Sequence, residues 1–401
     1  MSTTTTEPAD LAAVDARRVE AIEESGWGAE FTLFQPRNLA FWVWLIPVVW
    51  GVLYFLNDTL SASSYYGPAL SLAMVVFALY GAFFWWLTQV ADRYSSQPAT
   101  LRVVAFLWGG FAATWIMSLP ANNALRSIYA KLFGQGYAMD WGPSSAVWFT
   151  EEWSKGFGLL LLIALAPRLV RTAFDGLILG AFLGLGFQIL ENVSYIKSAA
   201  ATGWGADQLG SSVQTFLMRM TTGIAGHFLF TGVFCAGLVY VLGRPAEPRR
   251  LGRGLLLMSA AMVIHFVWDS EAAIAHVIFG DGVAAGIAAG GLLVGLPLLA
   301  LAVLAKVFSL TVANERSFMP AMLEPEVARG VMTDAEVQAA SGTRKDRRRY
   351  RHSGGGTRRR RQLLETVFDL AHELGASGGV STPRVEFARS EVLRLRGLVA
   401  G

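Results

Sequence analysis

The chain carries one cysteine, Cys235, in 401 residues, which excludes an intrachain disulfide as a source of stability. Charge is equally scarce: 16% of residues are charged against 53% hydrophobic, with 25 Phe and 13 Trp, and this excludes an ordinary soluble protein of such length. No cleavable signal peptide is expected, because the first thirty residues carry Glu7, Asp10, Asp15, Glu20, Glu23, Glu24 and Glu30 and contain no continuous apolar core. The apolar runs lack the two-residue alternation of membrane barrel strands. Also missing are an H-E-x-x-H zinc signature, a folded nucleic-acid recognition motif and any repeat relating the two halves.

What is present is a series of long apolar runs. About eight are of bilayer-spanning length, which is roughly 17–25 residues: Leu39–Leu56, Pro68–Val90, Leu101–Ala121, Ser144–Ala166, Ala173–Ile196, Phe216–Leu242, Leu255–Ile278 and Val283–Phe308. The expected architecture is an all-α polytopic membrane protein of about eight transmembrane helices, with a four-helix catalytic core and a cytoplasmic helical tail. The expected organisation is an acidic segment 1–38, three peripheral helices in 39–121, an extracytoplasmic loop 122–143 with a short helix near Ala124–Phe133, five helices in 144–308, a basic disordered linker 309–361, and amphipathic helices in 362–401. The arginines after the second, fourth and sixth spans (Arg93 and Arg102; Arg168 and Arg171; Arg244, Arg249, Arg250 and Arg253) put those loops, and so both termini, on the cytoplasmic side of the cell membrane.

Ionisable residues inside such runs cost roughly 2.5–3.5 kcal/mol each on insertion scales and persist where function or a partner requires them. They concentrate in the fourth to seventh spans: Glu151, Glu152 and Lys155; Glu191; His227; His265 with Asp269. Counting a rise of about 1.5 Å per residue from either boundary of a core about 30 Å thick, all fall between the midplane and the outer face. His265 and Asp269 are four residues apart and share a helix face, as do Glu151 and Lys155. Glu152 lies about 100° around the helix from Glu151, so the two adjacent carboxylates have different roles. Two imidazoles and four carboxylates in a poorly hydrated layer suit general-base activation of water or the binding of one divalent ion such as zinc, and either points to hydrolysis.

Three features read as packing or interface. Gly176, Gly180 and Gly184, spaced by four, indicate close helix approach. Asp175 reads as a helix cap, and Arg219 as a partner of a headgroup or a carboxylate. His352 and His372 read as solvated. The tract Arg344–Arg361 holds ten Lys or Arg against one Asp, a composition drawn to anionic lipid at about 1 kcal/mol per basic residue near the surface; no nucleic-acid partner is expected.

The ordered set Glu-Glu-x-x-Lys, Phe-x-x-x-Glu-Asn after a Gly-rich helix, Gly-His, and His-x-x-x-Asp, spread over Ser144–Ser270, resembles the PrsW family of intramembrane proteases. That family sits in a wider group with the CAAX-processing and bacterial abortive-infection proteases, whose second motif usually has His where Glu191 stands. The resemblance implies cleavage of membrane-anchored protein substrates, anti-sigma factors being the best-known kind. It implies a site of Glu151, Glu152, Glu191, His227, His265 and Asp269. Beside that site Lys155, Asn192 and Arg219 are expected to be supporting residues, and Glu191, His265 and Asp269 are the expected holders of any metal. The rival classes are a proton- or ion-coupled transporter, which would be expected to show internal repeats, and a non-catalytic membrane scaffold.

Overall fold

The computed structural model of the protein describes residues 8–400 apart from Gly205 and Gly355. Among these residues every regular element is a helix, a lone bridge between Arg244 and Glu247 aside. Six helical runs are long and apolar enough to cross a membrane, against the eight expected, and two local causes account for the difference.

The first two expected spans form one run, α2 (Leu39–Ala91), broken by non-helical geometry at Tyr66. Its two arms run in opposite senses. Asn38 donates to Ala164 O and Trp44 to Val104 O at one end of the bundle, Asp58 pairs with Lys197 near the other, and after Tyr66 the chain returns through Tyr80, which donates to Gly223 O, to Asp92. The fourth expected span is interrupted instead: α6 (Gly142–Val147) and α7 (Glu151–Leu165) are separated by a turn, and α7 with 15 residues falls short of bilayer thickness.

The third span comprises α3 (Ala99–Leu107), a π-helical stretch Trp108–Ser118 and α4 (Leu119–Phe133), followed by α5 (Gln135–Asp140). At the centre stands α8 (Ala173–Thr202), almost entirely buried. It opens with a capping box in which Thr172 and Asp175 satisfy each other's backbone donors, so Asp175 is a cap. Its glycines permit close backbone contact with a neighbouring helix. A Cβ on Gly184 would overlap the carbonyl of His227, and on Gly180 or Gly176 it would lie 2.7 or 2.8 Å from the carbonyls of Thr231 or Cys235. The helix those carbonyls belong to, α10 (His227–Leu242), therefore lies backbone to backbone with α8.

The sixth expected span, too, is broken. α9 (Gln208–Thr222) ends in a tight turn at Gly223–Ala225, and His227 begins α10 as a new helix. α11 (Leu251–Trp268) is followed by α12 (Glu271–Phe279) and the long peripheral α13 (Val283–Arg316), whose Val283, Ile287, Val294 and Leu298 are exposed, as lipid-facing residues are.

Most of the described residues of 309–361, expected to be a disordered linker, are helical. The end of α13 leads into α14 (Met319–Ala328), α15 (Asp334–Ser341) and α16 (Arg344–His352), and then α17 (Thr357–Ala376) and α18 (Pro383–Ala400). The physical reason is local: Thr333 with Glu336 and Thr343 with Asp346 form capping boxes that start α15 and α16 in spite of the like charges. This layer also holds α1 (Pro8–Ser25) from the N-terminal segment, because buried Glu326 accepts from both Arg18 and Arg389 at 2.7 Å. His372, read from sequence as solvated, stacks on Trp27 with centroids 4.5 Å apart, whereas His352 is exposed.

Candidate active site

The helix breaks create the site. The turn before α7 places Glu151 and Glu152 in its first turn, where free backbone N–H groups and the positive end of the helix dipole favour carboxylates. The break before α10 places His227 at that helix's first position. His265 lies in the last turn of α11, and Asp269 caps it.

Glu152 is fully buried, and both its oxygens are used. Oε1 accepts from Lys155 Nζ at 2.7 Å and pairs with His265 Nδ1 at 3.0 Å, while Oε2 accepts from Thr231 at 3.0 Å. Glu151 differs. Its Oε1 accepts from Asn122 at 3.0 Å, but Oε2 is buried with no hydrogen-bond partner. That oxygen faces His265 Nε2 at 3.6 Å, His227 Nδ1 at 3.8 Å and Lys155 Nζ at 3.9 Å. The two carboxylates expected to differ in role therefore do differ in surroundings.

Behind the imidazoles stand further carboxylates. Glu191 Oε2 lies 2.9 Å from His227 Nε2 and accepts from Arg219 Nη2 at 2.7 Å, and Arg219 Nε donates to Asn192 at 2.7 Å. Arg219 is thus a carboxylate partner. Asp269 Oδ2 lies 3.5 Å from His265 Nε2 and keeps 24% side-chain exposure, the most open of the four acids. Lys155 Nζ also sits 3.2 Å from His227 Nδ1 and 4.2 Å above the ring of Phe187. All nine sequence-selected residues join one network. Sequence reasoning missed Asn122, which carried no signal beyond being polar at the end of a span, and the bond from Thr231 to Glu152, signalled only by its place one turn after His227.

The arrangement fits a divalent ion. Glu151, His227 and His265 each offer one ligand atom within 4.8 Å of the others, and two imidazoles with one carboxylate make a catalytic-zinc donor set. Glu152 and Glu191 hold the far nitrogens of the two imidazoles, the outer support that metal-binding histidines need. Among the described residues, four carboxylates (Glu151, Glu152, Glu191, Asp269) share two fixed cations, Lys155 and Arg219, so a divalent charge would complete the balance. This trio shares only His265 with the expected Glu191, His265 and Asp269. Glu191 is turned away to His227 and Arg219, because Arg219, reaching across from α9, captures it.

A cavity of about 510 Å³ leads to this centre, lined by Tyr54, Trp115, Asn122, Glu151, Glu191 and Asp269 among others. Fold and site together define a polytopic helical membrane protein with a buried carboxylate–imidazole centre reached from a cavity. The chain matches the family model described as PrsW family intramembrane metalloprotease over residues 97–305, just over half of its 401 residues. It belongs to that family, a family of membrane proteases. No curated protein and no solved structure matches the chain significantly.

Proposed function

We propose that the protein is an intramembrane peptidase that cuts membrane-anchored protein substrates, regulators of the anti-sigma-factor kind included, where a substrate segment unwinds into the 510 Å³ cavity. The observation that carries the reading is Glu151 Oε2, a buried acceptor without a partner, facing two imidazoles that are each oriented from behind by a carboxylate. Glu151, His227 and His265 would hold a divalent ion, which when bound supplies Lewis acidity to a water and to the scissile carbonyl.

The remaining chemistry belongs to the chain. Glu152 and Glu191 hold His265 and His227 in orientation. Asp269, partly open to the cavity and next to His265, takes the proton of the attacking water and passes it to the leaving nitrogen. Lys155 adds positive potential beside Glu151 as negative charge develops on the substrate oxygen. In this reading Glu152, whose oxygens are both engaged, is a positioning residue. Both termini are cytoplasmic, and the basic stretch on α16 faces anionic lipid.

The test is incubation of the purified protein with single-pass membrane proteins, with and without a chelator, and mapping of cut sites by mass spectrometry. Cleavage lost in Glu151→Gln supports the reading, and cleavage at the parental rate by both Glu151→Gln and His265→Ala overturns it.

A further inference from the structure

A second cavity, remote from the carboxylates, has the shape and charge of a lipid site. It measures about 750 Å³ and lies between the returning arm of α2, α8 and α13, with Leu87, Leu177, Leu304 and Phe308 along its walls. On α13 the lining runs from Leu301 to Arg316, about 22 Å at 1.5 Å per residue. In a hydrocarbon core about 30 Å thick, that reaches from headgroup depth past the midplane. Ala305, Ser309 and Ala313, spaced by four on α13, are small and exposed and leave the trough open.

Its mouth is cationic. Arg316 lines it and keeps a buried Nε–H without a partner, although its other nitrogens donate to Gly342 O and the Tyr94 hydroxyl. Arg344 and Lys345 complete the rim, both exposed. Asp346, the acid that follows Lys345, is held by Thr343 in the cap that starts α16. An apolar trough of one-leaflet depth that ends in three cations is complementary to an acyl chain joined to a phosphate.

We propose that this groove binds one anionic phospholipid, its acyl chain against α2, α8 and α13 and its phosphate at Arg316, Arg344 and Lys345. The site thereby pins α16 to the bundle, and it is distinct from diffuse attraction of the basic tract to the membrane. It does not depend on the catalytic reading.

The full-length protein, reconstituted in mixed phosphatidylcholine and phosphatidylglycerol vesicles and extracted in mild detergent, is examined by native mass spectrometry for retained lipid. Wild type is expected to retain phosphatidylglycerol selectively. The double variant Arg344→Gln/Lys345→Gln should bind it roughly 30-fold more weakly. Ala305→Phe, which fills the trough and leaves every cation in place, should also lose it. Arg348→Gln/Arg349→Gln removes the same charge from α16 outside the groove and should retain it. Equal loss in the two double variants, undiminished retention in Ala305→Phe with an unchanged melting temperature, or no selectivity in wild type would each overturn the proposal.

Discussion

Glu151 Oε2 and His265 Nε2 lie 3.6 Å apart, and no hydrogen bond satisfies the buried oxygen. Neighbouring ligand atoms around a tetrahedral ion with bonds of about 2.0–2.2 Å are separated by roughly 3.3–3.6 Å, so this spacing leaves room for the two groups to hold one ion. Glu151→Gln should therefore lower bound metal, measured by elemental analysis of the purified protein, and reduce peptidase turnover by at least about 100-fold. The melting temperature should hold, since the amide still accepts from Asn122. Parental metal content and turnover in this variant would remove Glu151 from the centre.

Glu152→Gln should behave differently. It leaves Lys155 buried without its carboxylate, and breaking one member of a buried pair costs about 3–5 kcal/mol. A pronounced drop in melting temperature is expected along with lost activity. Glu152→Gln/Lys155→Met should regain much of that stability without regaining activity, because it removes the orphaned charge and still leaves His265 poorly oriented. Identical melting temperatures for the single and double variants would contradict the pairing seen at 2.7 Å.

Gly184→Ala probes the site from the other side of α8. The new Cβ would meet the carbonyl of His227, and overpacking of this kind costs about 1–3 kcal/mol. Because the carbonyl belongs to a site residue, kcat should fall far more than stability does. The same substitution at Gly286, inside α13 with nothing within 4 Å, serves as the control and should leave kcat unchanged without lowering stability.

The layer that contains His372 should be acid-sensitive. Burial against Trp27 pushes the imidazole from its ordinary 6.5 down to about 4, so the unfolded chain takes up a proton first as pH falls. Stability is full above about pH 6.5, declines between there and about pH 4, and is level below; the loss is at most about 3 kcal/mol, since the ring is only partly shielded. Hydrogen exchange in α17 should accelerate over that window in wild type, and much less in His372→Phe, which keeps the stack. Equal acceleration in both would assign the acid response to other groups.

Much of the fold was legible because bilayer physics writes long signals. An apolar run must be about a bilayer long, and a charge within it is costly, so the class of protein and the residues of the polar layer could be read from Glu151 to Asp269 without coordinates. The glycines spaced by four on α8 and the cap at Asp175 were legible as local geometry. The breaks before α7 and α10 were not: Trp148–Thr150 and Gly223–Gly226 are as apolar or small as their neighbours, and hydropathy is blind to a turn buried inside protein. The capping boxes of α15 and α16 are short local signals inside a tract whose composition is dominated by like charge.

By itself, the sequence determined that this is a helical membrane protein with an intramembrane set of carboxylates and imidazoles in the order of the PrsW family, because composition and motif order do not depend on how helices pack. Only the tertiary structure decided which atoms face one another. Glu151 and Glu152 are adjacent and chemically identical, and nothing in a one-dimensional pattern assigns one to His265 Nε2 and the other to His265 Nδ1 and Lys155. That assignment follows from the rotation of α7 against its neighbours, where Gly156 lies against Phe234 of α10 and Gly158 against Trp108 and Leu183, with no room for a Cβ at either position.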